Sequence, residues 1–203
     1  MNGQMRRIEV VDECFRVFNP DVTVETGTYL GATTGFLARR YGVEVYSCEA
    51  VARHHYAAQR MLRQTQGVHL YHGDSRSFLK EIAARPGFAS RNVFFYLDAH
   101  WEEDLPLAEE IQIIASHWRN YLILIDDFRV PGDSGYGFGQ YSPTKKLDLE
   151  YIAPVVDQCN LATFFPRAKS TTETGRKRGC VVLAPKTLAQ KVSTCASLVG
   201  IDR

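Results

Sequence analysis

Short apolar runs alternate five times with helix-like segments along this chain, and no other feature of the sequence limits its fold as strongly. Runs of this length are typical of buried strands, and the longer segments between them are typical of helices. The predicted strands cover residues 22–25, 43–48, 68–71, 92–97 and 121–125, and the predicted helices cover 33–41, 50–64, 75–84, 105–117 and 147–158. Strands joined by crossover helices pair in parallel, which predicts an α/β sandwich.

The end of the chain has a different pattern. Two further strands are predicted at 162–165 and 179–184, and the polar, basic stretch 167–178 between them holds no helix. Strands without a crossover helix pair as an antiparallel hairpin. We therefore expect a Rossmann-like, doubly wound α/β sandwich that ends in an antiparallel pair, with 167–178 as a solvated hairpin tip.

Bulk composition predicts one soluble domain over residues 1–203, which begins with a short N-terminal segment (1–20). The chain is 45% hydrophobic and carries a net charge of +1, which argues against nucleic-acid and anionic-membrane partners. No apolar run approaches the roughly 20 residues of a membrane span. Five scattered cysteines without C-x-x-C spacing predict reduced thiols and a cytoplasmic location. The sequence leaves the oligomeric state open, a homo-oligomer included.

The first predicted strand ends at an acid, Glu25, and a glycine-rich turn leads from it into a helix. We expect Gly27 to make the turn tight and Gly31 to let a ligand approach the backbone. Such a corner is typical of cofactor-binding α/β proteins. Tyr29 stands where a dinucleotide pattern needs its second glycine, and the lysine of a P-loop is absent. An ordinary turn without a ligand is the alternative.

Acids also follow the next two strands. Glu49 lies about 20 residues beyond the glycine corner, the spacing at which an acid binds a pair of ribose hydroxyls. Asp74 follows the third strand, and all three acids are expected at one edge of the sheet. Glu49 and Asp74 have the alternative role of beginning the helices that follow them. His54 and His55, in the second helix, are expected at the surface.

The acid-x-Gly-x-x-x-Gly pattern on this topology resembles the first motif of class I S-adenosylmethionine (SAM) methyltransferases, and the resemblance covers residues 20–185. It implies a seven-stranded, mostly parallel sheet of order 3-2-1-4-5-7-6 with strand 7 antiparallel. It also implies that SAM is the cofactor, with Glu25 and Gly27 at the methionine part, Glu49 at the ribose and Asp74 at the adenine. The other residues of the predicted cofactor site are Thr26, Tyr29, Gly31, Thr33, Thr34, Ala50, Ser75 and Asp98.

Asp98 follows the fourth strand, and Asp126 and Asp127 follow the fifth. Carboxylates that converge repel one another unless a cation or a proton intervenes, and oxygen ligands suit Mg²⁺. This arrangement resembles metal-dependent O-methyltransferases of the catechol and macrolide-sugar types. We therefore predict Asp98, Asp126 and Asp127 as ligands of a Mg²⁺ ion that lowers the pKa of a substrate hydroxyl. Both members of the acidic pair can bind one ion only if the chain has left the strand by Asp127.

The predicted reaction is methyl transfer to a hydroxyl group of a small molecule, with Asp98 and His100 as catalytic residues and His100 as general base. Loop 128–144 interleaves glycines with aromatic residues and is predicted to be a lid over the acceptor, with a solvated loop as the alternative. Trp101 is predicted to line the acceptor cavity. A metal-independent methyltransferase that uses His100, and a SAM-binding protein without activity, are the alternative functions.

Overall fold

The computed structural model describes residues 1–100, 104–142 and 145–201. Trp101 lies outside the described residues, as does the end of loop 128–144 at Pro143 and Thr144. The strands are β1 Val22–Thr26, β2 Glu44–Glu49, β3 Val68–His72, β4 Val93–Leu97, β5 Tyr121–Ile125, β6 Leu161–Pro166, β7 Val181–Pro185 and β8 Leu198–Ile201. The helices are α1 Met5–Phe18, α2 Ala32–Tyr41, α3 Ala52–Leu62, α4 Ser75–Ala83, α5 Leu107–His117, α6 Leu149–Gln158 and α7 Lys186–Val192. No helix among the described residues has the length and apolar character needed to cross a bilayer.

The strands follow the order β3-β2-β1-β4-β5-β7-β6-β8. β1 pairs in parallel with β2 and β4, and β2 pairs in parallel with β3. β7 is antiparallel to β5 and to β6, and its pairing with β6 is expected because no crossover helix joins these two strands. The predicted α/β class and order of seven strands are confirmed. The predicted number of strands is wrong, because the short β8 adds an eighth, antiparallel to β6.

Contacts between residues divide the chain into two compact units. The unit Pro20–Tyr121 contains β1 to β4 with α2 to α5. Every residue of β1 and β4 is buried, as expected of strands in the middle of a sheet that is covered on both faces. The parallel register aligns Thr26 with both Cys48 and Leu97, and Glu49 with His72. The strand ends that carry the predicted acids are therefore level with one another.

The other unit comprises Met1–Asn19 and Leu122–Arg203. Its first residues form the 14-residue helix α1, which was not predicted. Glu173 caps this helix from the connection between β6 and β7, accepting the backbone N–H of Arg6 at 2.9 Å and of Arg7 at 3.1 Å. Arg167, Lys169 and Arg176 are exposed, as expected of a solvated tip, whereas Ser170 and Glu173 between them are buried.

Candidate cofactor site

Glu25 lies at the carboxyl end of β1 and is 1% exposed. Its Oε2 accepts hydrogen bonds from Thr34 Oγ1 and from Ser47 Oγ, each 2.5 Å long. Burial raises the pKa of this carboxyl to about 7, although the two hydroxyl groups act in the opposite direction. Both hydroxyls bond the same oxygen, which leaves Oε1 for another partner.

Gly27 is required by a close approach between two backbone segments. Its φ is +86°, and a Cβ at this position would lie 2.4 Å from the carbonyl oxygen of Asp98. The turn is fixed by the N–H groups of Gly27 and Thr28, which both donate to Cys48 O at 3.0 Å. The segment after β4 therefore packs directly against the turn after β1. Only a residue without a side chain leaves room for this contact at position 27.

Gly31 also has a positive φ, of +83°, but its missing side chain serves helix packing. A Cβ would lie 2.6 Å from Leu62 Cδ1 of α3, and a Cβ at Gly35 would lie 2.7 Å from Leu62 Cδ2. These two glycines therefore let α2 and α3 come together. That a ligand touches the backbone of Gly31 stays a prediction.

Glu49 ends β2, is 7% exposed and receives one backbone N–H on each carboxylate oxygen. Tyr29 N donates to Oε2 at 2.7 Å and Val51 N donates to Oε1 at 2.8 Å. Each oxygen keeps a lone pair for a ligand hydroxyl. Tyr29 has a left-handed backbone, with φ of +49°, and its ring is largely exposed. Ala50, next to Glu49, is exposed as well.

Asp74 caps α4 by accepting the backbone N–H groups of Arg76 and Ser77. Arg76 also forms an ion pair with Asp74 at 2.7 Å, and its side-chain hydrogen bonds are the main reason that the pKa of Asp74 is lowered. The capping role that the sequence left open is thus present. The predicted contact of Asp74 with the adenine stays a prediction.

Like Glu25 and Glu49, the predicted cofactor residues Thr26, Thr34 and Ser75 are buried, and Thr33 is half-buried. Thr26 and Ser75 lie near Glu110, an acid on α5 that is 1% exposed and that the sequence did not reveal. Burial raises the pKa of Glu110 to about 7, and the hydroxyl groups of Ser75 and Thr26 act against this shift. A glutamate within a helical pattern gives no signal of burial, because most such residues face solvent.

Asp98 and His100 lie together after β4. His100 Nε2 is 3.3 Å from Asp98 Oδ1, and the side chains are 3% and 35% exposed, respectively. This arrangement is compatible with the general-base role predicted for His100.

Asp126 and Asp127 follow β5, and each is paired with an arginine. Asp126, 1% exposed, accepts a hydrogen bond from Arg7 of α1. Arg178 makes two parallel bonds to Asp127, Nε to Oδ1 at 2.7 Å and Nη2 to Oδ2 at 2.5 Å. Asp127 has a φ of +54°, so the chain has left the strand there, as a shared ligand role requires. Both arginines were missed, because they lie 119 and 51 positions away from their partners.

Loop 128–142 is tied to its own unit by backbone and side-chain bonds. Tyr136, 3% exposed, donates its hydroxyl to Ala168 O at 3.1 Å. Asp133 accepts the backbone N–H and the hydroxyl of Ser170 at 2.8 and 2.6 Å. One predicted aromatic lid residue is thus packed inside the protein, and lid movement stays a prediction.

Solved structures match the chain over most of its length. The O-methyltransferase from Bacillus cereus, in complex with S-adenosylhomocysteine (SAH), has a TM-score of 0.62 at 15% identity, over 89% of this chain and 80% of that chain. The O-methyltransferase TomG from Streptomyces achromogenes, involved in tomaymycin synthesis and solved with SAM, has a TM-score of 0.59 at 15% identity, over 89% and 78%. The chain has the class I SAM-dependent methyltransferase fold.

The fold alone does not select the reaction. Precorrin 8w decarboxylase from Methanobacterium thermoautotrophicum also matches, with a TM-score of 0.52 at 16% identity over 87% of both chains. No family model matches the chain, and no curated protein matches it in sequence. The reaction must therefore be argued from the side chains.

Proposed function

We propose that the protein is a SAM-dependent methyltransferase that acts on a hydroxyl group of a small molecule. The observation that carries this proposal is Glu25, a buried acid in the glycine corner whose hydrogen-bond partners are two neutral hydroxyls. A ligand that brings positive charge to this position favours the ionised carboxylate and offsets the cost of its burial. The ammonium and sulfonium groups of SAM are such charges.

Glu49 fits the ribose of the same ligand. Its two oxygens each have one backbone donor and one lone pair left, which matches the two hydroxyls of a ribose diol. When bound, SAM supplies a sulfonium methyl group. His100 accepts the proton of the acceptor hydroxyl, and Asp98, 3.3 Å from its ring, stabilises the imidazolium that forms.

Divalent-metal assistance is the finer form of the proposal, with Asp98, Asp126 and Asp127 as ligands of Mg²⁺. The ion pairs with Arg7 and Arg178 already neutralise Asp126 and Asp127, and an ion that used both would have to displace two guanidinium groups. This observation favours the second candidate, methyl transfer without a metal and with His100 as base. The two forms differ in whether turnover survives EDTA.

Calorimetry with purified, cofactor-free protein tests the cofactor. We expect SAM and SAH to bind, and we expect Glu25→Gln and Glu49→Gln to weaken both ligands, with Glu44→Gln at the opposite end of β2 as the control. Absence of heat with the wild-type protein would refute the proposal.

Turnover with a panel of catechols and glycosides, with and without EDTA, tests the reaction. Product that persists in EDTA supports the metal-independent form, and product that is lost in EDTA and restored by Mg²⁺ supports the metal-assisted one. Binding of SAM without product from any acceptor would favour a SAM-binding protein that lacks transferase activity.

A further inference from the structure

His54, which was expected at the surface, stands beside the predicted ribose-binding acid, Glu49. Its Nδ1 is 3.9 Å from Glu49 Oε1, and the two side chains are 16% and 9% exposed. His55, its neighbour on α3, is buried and lies against His72, with 5.3 Å between ring centroids. Of this pair, His54 is the residue whose ring nitrogen faces the carboxylate of Glu49 at the distance given.

The other ring nitrogen of His54 fixes its tautomer. Arg53 Nε donates a hydrogen bond to His54 Nε2 at 3.3 Å, so Nε2 acts as the acceptor. In a neutral imidazole the second nitrogen then carries the hydrogen. His54 thus presents an Nδ1–H donor on the side of Glu49.

The ring is also held in place from its other side. Tyr29 packs edge-on against His54, with ring centroids 4.7 Å apart, and its backbone N–H bonds to Glu49 Oε2. Tyr29 has the left-handed backbone described above, a conformation that side-chain-bearing residues keep only where their surroundings enforce it. Tyr29, His54 and Glu49 therefore form one connected group.

The gap between His54 and Glu49 has the size of a hydroxyl group. A direct N–H···O bond needs about 3 Å, so 3.9 Å is too long for one. An oxygen placed about 2.8 Å from both atoms would see them at roughly 90°, an angle at which a hydroxyl can donate one bond and accept another. It would donate to Glu49 Oε1 and accept from His54 Nδ1–H. A single hydroxyl thus satisfies a donor and an acceptor that do not reach one another.

We propose that His54 is a second ribose-binding residue, which with Glu49 holds one hydroxyl of the cofactor's ribose and so selects ribose over deoxyribose. The inference rests on the proposed function, because it takes the bound nucleoside to be that of SAM. A carboxylate alone accepts a hydrogen bond from any hydroxyl. A hydrogen-bond donor and an acceptor at this spacing require a single group that can both donate and accept. His54 is thereby a specificity residue of the cofactor site.

The experiment measures the Kd of SAH and of its 2′-deoxy and 3′-deoxy analogues by calorimetry. The variants are His54→Leu, which removes the donor, and His54→Asn, whose side-chain amide keeps a donor near the same position. His69→Leu is the matched control, because His69 pairs with Glu44 at 3.2 Å at the opposite end of β2. Melting curves verify that each variant is folded.

We expect His54→Leu to weaken SAH about tenfold, the effect of one lost hydrogen bond to a buried partner, and to leave unchanged the Kd of the analogue that lacks the bridging hydroxyl. The Kd of SAH for His54→Asn should stay within about threefold of the wild-type value. His69→Leu should bind SAH with the wild-type Kd.

Equal weakening of SAH and both analogues by His54→Leu would overturn the inference, as would wild-type affinity of that variant for SAH. An equal loss in His54→Asn would show that ring packing on Tyr29 is what matters and would overturn the hydrogen-bond assignment. Failure of the wild-type protein to bind SAH would instead refute the proposed function, and the inference with it.

Discussion

Replacing Arg7 with methionine removes the positive member of a buried ion pair and leaves its partner charged. The side chains of Arg7 and Asp126 are each 1% exposed. Arg7 also donates to the carbonyl oxygens of Arg178 and Gly179 at 2.5 and 2.9 Å, so three acceptors lose a donor together. Breaking a buried pair from one side typically costs about 3–5 kcal/mol, because the remaining charge has no counterion. For a chain of this length that corresponds to a fall in Tm of roughly 6–20 °C.

Urea unfolding followed by circular dichroism at pH 7 measures this loss of stability. Arg6→Met is the matched control, because Arg6 lies next to Arg7 on α1 and pairs with Glu9 at the surface, where the two side chains are 41% and 47% exposed. We expect little change in the control, since exposed ion pairs contribute little. The double variant Arg7→Met with Asp126→Leu should regain part of the loss, because no buried charge is left unpaired. A loss below about 1 kcal/mol in Arg7→Met would refute the reasoning.

The remaining predictions concern pH, the glycine corner and the helix cap. Glu25 and Glu110 have pKa values of about 7 in the folded protein, against 4.5 for an ordinary glutamate. Between pH 4.5 and pH 7, the folded protein therefore keeps protons on these two carboxyls that the unfolded chain has released. The free energy of unfolding should therefore fall as pH rises from 5 to 7, by about 1.4 kcal/mol per pH unit for each carboxyl. In Glu25→Gln and Glu110→Gln, the free energy measured by urea unfolding should depend less steeply on pH. Gly27→Ala should lower stability by about 2 kcal/mol or more, because its Cβ meets Asp98 O, whereas Gly87→Ala, with a φ of +74° and open space around it, should lose only about 1 kcal/mol in the same assay. Asp74→Ala should cost about 1 kcal/mol through loss of the α4 cap, and a similar result for the exposed Ser77→Ala would contradict the capping assignment.

Local patterns were sufficient for the parts of the fold that depend on neighbours in sequence. The apolar runs that became β1 to β7 and the turn residues between them act within about ten residues, whereas the order of the strands was implied by the resemblance to methyltransferases. β8 has only four residues, two of them exposed, so it lacks the buried pattern that marks a strand. Helix α1 was missed although Val10, Val11, Cys14, Phe15 and Phe18 recur at helical spacing, and only its cap by Glu173 lies beyond the reach of a local pattern.

The site was predictable to the extent that strand ends determine it. Glu25, Glu49, Asp74 and Asp98 stand at the ends of parallel strands, and the register alone brings those ends level. The partners of Asp126, Asp127 and Gly31 were not predictable, because Arg7, Arg178 and Leu62 reach them through tertiary packing. The sequence thus indicated where the acids lie, and the structure indicated which of them already have a counterion.

The cap that Glu173 places on α1 joins residues 167 positions apart, and this separation has a consequence for biosynthesis. A 14-residue helix is marginal in water on its own, so α1 has to wait for its tertiary partners. The ribosome makes α1 well before the glutamate that caps it. Helix α1 therefore cannot acquire this cap until residue 173 has been made, and a nascent chain stalled before that residue should expose the apolar face of α1 to chaperones and proteases.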